Sequence, residues 1–202
     1  EVRRELGLMD GEPVIGVAAH LSPKKGQRHI IEATAILRQR RQKIVCCLIG
    51  EGEQHAELSQ LAERLGVARH VRFMGFRQDA VDLMQAMDAV ILPSVAKEGL
   101  GLCLLEAQAL GKAVVGSDIP GIDEAVVHNQ TGLLVAPGDA RALAEAVDRL
   151  LADPGLRARM GEAGRKRMAE RFTLEQMVEH TEQLYYELIE RKRGAGGGHA
   201  RP

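Results

Sequence analysis

The chain has 202 residues, 45% of them hydrophobic, and 27 basic against 28 acidic side chains give a net charge of -1. That is material for one sizeable core, with no whole-chain attraction to nucleic acid. No apolar run reaches the roughly 18 residues of a membrane span, and the charged start Glu1-Val2-Arg3-Arg4-Glu5 is not expected to act as a signal peptide.

In chain order, residues 14–19 form the first apolar run. A loop punctuated by Pro23 and Gly26 leads from it into a helical pattern over residues 28–41. Residues 44–49 are the second strand-like run, ending at Gly50-Glu51-Gly52 before a helix over 54–65. Residues 71–74 lead through Gly75-Phe76-Arg77 to a helix over 79–87. Residues 89–92 lead through a long loop to a helix over 101–110, and residues 113–116 lead through Ser117-Asp118-Ile119-Pro120-Gly121 to a helix over 123–128. Residues 132–135 are the sixth run. These runs are short and apolar at successive positions, as strands covered on both faces are. Alternation with helices predicts an α/β chain: a Rossmann-like open parallel sheet of about six strands, helices on both faces, right-handed crossovers, and ligands at the carboxyl ends of the strands.

Beyond residue 135 the pattern is helical. Gly138-Asp139 supplies a turn and an N-cap for a helix over 140–151, and Asp153-Pro154 restarts a helix that runs to about Arg171. The basic stretch from Arg157 to Arg171 reads as a solvated helix face. Thr173-Leu174-Glu175-Gln176 has the form of a capping box, opening a last helix over 174–192, and the glycine-rich tail from Gly194 is expected to be disordered. The implied organisation is a domain over 1–172, a terminal helix over 173–193 and a tail over 194–202.

Cys46, Cys47 and Cys103 all lie in apolar runs without metal-ligand spacing, which predicts buried, reduced thiols and a cytoplasmic protein. His29, His55, His70, His128, His180 and His199 show no spacing that suggests a metal site. Gly50-Glu51-Gly52 lacks the third glycine of a nicotinamide-dinucleotide fingerprint, and no Walker loop or Ser-His-Asp order is present. The richest segment is residues 93–107, Pro-Ser-Val-Ala-Lys-Glu-Gly-Leu-Gly-Leu-Cys-Leu-Leu-Glu-Ala. A strand, a glycine loop and a helix N-terminus in succession aim unpaired N–H groups and the helix dipole at one place, which suits an anion. Glu98 and Glu106 flank it with seven residues between them. Carboxylates there repel phosphate but accept hydrogen bonds from ribose or sugar hydroxyls.

This E-x7-E segment resembles the signature of retaining glycosyltransferases of the two-Rossmann-domain GT-B fold, in particular family four. The resemblance runs from about Val14 to Tyr186 and takes in Ser22-Pro23-Lys24-Lys25-Gly26, Gly50-Glu51-Gly52, Phe73-Met74-Gly75-Phe76 and Ser117–Gly121. It implies the C-terminal, donor-binding half of such an enzyme, binding a nucleoside-diphosphate sugar, with the acceptor held by an N-terminal domain outside this chain and no metal cofactor. With no initial Met, the chain is expected to be a fragment that binds nucleotide without transferring sugar. A non-catalytic nucleotide-binding module and half of a sugar-nucleotide epimerase are the alternatives. The resemblance also leaves open a peripheral placement of the full-length protein at the inner membrane.

Carried over residue by residue, the resemblance assigns the diphosphate to Lys25, to His20 (where the family usually has Arg) and to the backbone of Gly99, Leu100 and Gly101. Glu98 becomes the catalytic-site carboxylate at the transferred sugar, Glu106 the ribose ligand, and Gly75, Phe76 and Arg77 the base-binding residues. Each has a plainer reading: local packing for His20, core packing for Phe76, a helix-dipole acid for Glu98 and a solvated helix face for Glu106. The loop over residues 117–124 is expected to line the donor cleft. The terminal helix, with Met177, Leu184, Tyr185 and Leu188 on one face, is expected to lack its usual partner domain and to be mobile, repacked or shared with a second molecule in an artificial dimer.

Overall fold

The structure is a computed structural model that describes residues 3, 8, 11–41 and 43–196, with side chains as far as residue 193. Its strands are β1 Val14–Ala18, β2 Val45–Ile49, β3 Val71–Gly75, β4 Ala89–Leu92, β5 Ala113–Ser117 and β6 Gly132–Val135. Its α-helices are α1 Gln27–Arg40, α2 His55–Arg64, α3 Ala80–Gln85, α4 Leu102–Ala109, α5 Ile122–Ala125, α6 Ala140–Ala152, α7 Pro154–Arg171 and α8 Leu174–Gly196. All strand pairs are parallel and the order is β3-β2-β1-β4-β5-β6. In register, Gly16 faces Cys47 on one side and Val90 on the other.

The unbroken apolar runs of β1, β2, β4 and β5 are buried because helices cover both faces: α1 packs on α2 and α6, while α4 packs on α3 and α7. Cys46, Cys47 and Cys103 are buried and unpaired. Burial pushes the Cys47 thiol up to about 11 and the Cys103 thiol up to about 12, so both stay protonated and unreactive at neutral pH.

The caps follow the sequence signals. Asp139 accepts from the N–H groups of Arg141 and Ala142 at 3.0 and 2.8 Å, and Asp153 accepts from Leu156 N at 2.8 Å. The capping box forms in full: Gln176 N donates to Thr173 Oγ1 at 3.3 Å while Thr173 N donates to Gln176 Oε1 at 3.2 Å. Three expectations need correction. The helix expected over 123–128 ends at Ala125, because Val126 turns extended and Asn129, at φ 62°, starts a turn closed by its N–H to Gly132 O. The terminal helix continues to Gly196, past Gly194 where the tail was expected to begin, and residues 197–202 lie outside the described residues. The face from Arg157 to Arg171 is not uniformly solvated. Arg157 turns inward, donating to the carbonyls of Leu150 and Leu151 at 2.7 and 3.2 Å and standing 3.7 Å from Asp88 at the start of β4.

The terminal helix α8 leaves its apolar face open: Met177, Leu184, Tyr185 and Leu188 are 59%, 54%, 62% and 49% exposed. It contributes little to the core, so deleting residues 173–202 is expected to move the thermal midpoint by no more than about 2 °C. That follows from a change within roughly 0.5 kcal/mol at about 2–4 °C per kcal/mol. Differential scanning calorimetry of the shortened chain checks this, and a fall of ten degrees would show that α8 is part of the core.

Candidate donor site at the sheet switch point

Strand order reverses between β1 and β4: the chain leaves β1 toward β2 and leaves β4 toward β5. The chain therefore leaves the two strands toward opposite sides of the sheet, and a crevice opens at their carboxyl ends. The loop after β1 carries His20 and a 3-10 turn over Pro23–Lys25, and the loop after β4 carries Ser94, Glu98 and the glycines that open α4. The loops are tied together. Val95 N donates to Lys24 O at 2.9 Å, and Gly26, at φ 67°, leaves room for the Pro93 carbonyl, which would stand 2.0 Å from a side-chain carbon there.

Lys25 and Glu98 form the centre of the site. Lys25 Nζ donates to both Glu98 oxygens at 2.9 Å, Ser94 Oγ donates to Glu98 Oε1 at 2.6 Å, and Lys24 Nζ lies 3.9 Å from Oε2. Glu98 is only 6% exposed. Burial pushes its carboxyl up, but the hydrogen bonds from Ser94 and Lys25 and the charges of Lys25 and Lys24 outweigh it, and the group is held below the ordinary carboxylate range. Glu98 precedes the first turn of α4, so it acts on the two lysines and not as a helix-dipole acid.

A cavity of about 280 Å³ is lined by His20, Lys25, Glu98, Gly99, Leu100 and Gly101, among others. The structure thus gathers every residue that the sequence pattern nominated for a diphosphate in one place. Gly101, at φ 65°, is the N-cap of α4, so the axis of that helix opens onto the cavity. A second cavity of about 510 Å³ shares Ala18, Ala19 and His20 with the first and adds Gly50, Glu51, Phe76 and Arg77. Phe76 is 70% exposed at its wall, not a core residue. Its N–H faces Glu51 Oε1 at 3.4 Å, and Arg77 Nε donates to Asp79 Oδ1 at 2.7 Å. Gly75 ends β3 beside them, and its carbonyl accepts from Gly50 N at 2.8 Å. Glu106 is not in either wall. It is exposed one helical turn beyond Leu102, and partial burial pushes its carboxyl up.

His20 Nε2 lies 3.1 Å from Glu53 Oε2, and the His20 carbonyl accepts from the buried Gln27 Nε2 at 2.8 Å. His20 is therefore fixed through its backbone while its ring stays in solvent. The 117–124 loop lines neither cavity. It contacts the Glu98 loop instead, with Glu98 N donating to Pro120 O at 3.3 Å and Gly121 packed against the Glu98 carbonyl. Sequence reasoning passed over Ser94, Glu53 and Gln27. The signal for Ser94 was a hydroxyl directly after an apolar strand and four residues before Glu98. Among the described residues no three His, Cys, Asp or Glu side chains converge as a metal site.

Comparison with known proteins gives a consistent result. The sequence model described as glycosyl transferases group 1 matches residues 1–167. A putative glycosyltransferase of Bacillus subtilis, EpsD, is 32% identical over 181 residues, 88% of this chain and 47% of that protein. The structure of Anabaena Alr3699/HepE in complex with UDP superposes with a TM-score of 0.83 at 31% identity, covering 94% of this chain and 51% of that one. The C-terminal domain of a glycosyl transferase group 1 family protein (LpcC) from Francisella tularensis matches with a TM-score of 0.76 at 26% identity, covering 86% and 92%. The chain spans about half the length of the curated relatives it matches.

Proposed function

The chain belongs to the group 1 glycosyl transferases, and on that premise we propose that it is the donor half of a retaining sugar transferase. It binds a nucleoside-diphosphate sugar, and the acceptor is held by a part of the full-length protein outside this sequence. One observation carries the reading: Lys25, His20, Glu98 and the Gly99–Gly101 backbone meet in a single cavity at the switch point, which shares Ala18, Ala19 and His20 with a second cavity walled by Phe76 and Arg77.

In this reading the diphosphate lies against Lys25, His20 and the N-terminus of α4, and the base lies beside Gly75, Phe76 and Arg77. The ribose reaches Glu106 along α4. As the glycosidic bond breaks, negative charge grows on the leaving diphosphate, and the fixed ammonium of Lys25 and the helix N-terminus stabilise it most at that moment. These groups take the part that a metal ion plays elsewhere. A carboxylate has about four acceptor positions; Ser94 and Lys25 occupy three on Glu98, which leaves one for a hydroxyl of the transferred sugar. The donor half alone binds nucleotide and does not turn over. That HepE was crystallised with UDP supports a nucleotide as the ligand.

The test is a thermal-shift titration of this chain with UDP, GDP and ADP, beside Glu106→Ala. One nucleotide at about 100 times its dissociation constant should stabilise by about 2.7 kcal/mol, a rise of roughly 5–10 °C. Glu106→Ala should weaken that nucleotide by about 2–4 kcal/mol, the worth of charge-assisted bonds to two hydroxyls. No shift with any of the three nucleotides would overturn the proposal.

A further inference from the structure

Ser94 is fully buried, at 0% exposure, and lines neither cavity wall. Its position is fixed by backbone on both sides: Pro93 is clamped by Gly26 and Val95 N is bonded to Lys24 O. Its hydroxyl donates at 2.6 Å to Glu98 Oε1, one of the two oxygens that Lys25 bridges. From this geometry we infer that Ser94 is a positioning residue of the donor site: it anchors the Glu98 carboxylate and so sets how far Lys25 is available to a diphosphate.

The inference rests on the donor-site reading above. Lys25 has three N–H donors, and two of its contacts go to Glu98 in this structure. A diphosphate must share Lys25 with that carboxylate. The Ser94 bond to Oε1 holds the carboxylate in the orientation in which Lys25 bridges both oxygens and Lys24 stays 3.9 Å from Oε2. Without the hydroxyl, the carboxylate is free to rotate toward both lysines. They are then more completely neutralised and less well placed, and both effects lower affinity for the diphosphate. Ser94 touches no substrate in this scheme, so its influence must pass through Glu98.

A double-mutant cycle tests this by titration calorimetry, using whichever of UDP, GDP or ADP the unaltered chain binds and inorganic pyrophosphate as a second probe. Ser94→Ala should weaken the nucleotide about 5- to 10-fold and pyrophosphate by a similar factor, and Ser94→Thr, which keeps the hydroxyl, should restore most of it. In a Glu98→Gln background the Ser94→Ala factor should fall to about one, because the charged group that Ser94 restrains is gone. Equal weakening in both backgrounds would mean a general packing role and would sink the inference, as would wild-type affinity in Ser94→Ala. If the unaltered chain binds neither nucleotide nor pyrophosphate, the donor-site reading itself falls. Thermal midpoints of each variant show whether a loss of binding is a loss of fold; if Thr does not fit the buried position, the Glu98 background decides alone.

Discussion

Replacing Lys25 with Ala is expected to cost this chain about 2–4 kcal/mol of stability and to weaken nucleotide binding about 10- to 100-fold. The stability loss comes from what is left behind. Glu98 is 6% exposed and Lys25 supplies both of its 2.9 Å charge-assisted contacts. Removing one partner of a buried pair leaves an uncompensated charge, which costs about 3–5 kcal/mol when burial is complete. Here the figure is lower, because the Lys25 side chain is 24% exposed and Lys24 stands 3.9 Å from the same carboxylate. The binding loss is that of one charged hydrogen bond to a phosphate, about 1.5–3 kcal/mol. Unfolding and titration calorimetry separate the two effects. The double variant Lys25→Ala/Glu98→Ala should recover most of the stability, since neither charge then remains buried alone, and it should not recover the binding. A Lys25→Ala protein with an unaltered midpoint and unaltered affinity would show that the pair matters to neither.

The same pair sets an acid limit. Glu98 is held below the ordinary carboxylate range in the fold. Its contribution is therefore complete above the unfolded value of about 4.3 and is lost as the pH falls through its own lower value. The midpoint difference between the unaltered chain and Glu98→Gln should be constant at neutral pH and shrink as acid protonates Glu98.

Gly26→Ala should be the most damaging change of a single carbon near the site, at about 3 kcal/mol or more, with nucleotide binding lost. Two costs add. Gly26 sits at φ 67°, where an L residue pays about 1–2 kcal/mol. The new carbon would also stand 2.0 Å from the Pro93 carbonyl oxygen, a backbone atom that moves only if the whole loop moves. That loop carries Ser94, and the other side of the contact carries Lys25, so relief of the clash pulls the two halves of the site apart. Gly66 is the control. It has a similar φ of 69° with nothing within 4 Å of an added carbon, so Gly66→Ala should show the conformational cost alone. Equal losses of midpoint at the two positions would mean that the contact with Pro93 is unimportant.

Much of the fold was legible because its signals are local. Successive apolar residues in 14–18 or 89–92 mark strands covered on both faces, and Asp139, Asp153 and Thr173 sit where caps must sit. Other features were not legible, because their causes are distant in sequence. Arg157 lies on a run that reads as solvated, and only the packing of α7 near β4 brings it to Asp88, 69 positions earlier in the chain. The short α5 ends where Asn129 and Thr131 draw the backbone into a turn, a competition that periodicity does not register.

The site divides in the same way. The sequence alone determined the loop chemistry: a lysine before a glycine after β1, and glycines that leave N–H groups unpaired at the start of α4 next to an acid. These are properties of short segments, set by backbone freedom and side-chain type. Only the tertiary structure decided that Lys25 and Glu98, 73 positions apart, would share a buried contact, that Ser94 would hold the same carboxylate, and that Glu106 would face solvent one turn outside the cavity. The physical reason is the strand order. With β4 seated beside β1, the two loops meet over one crevice, and a buried carboxylate between them has to be satisfied by whatever donors the opposite loop presents.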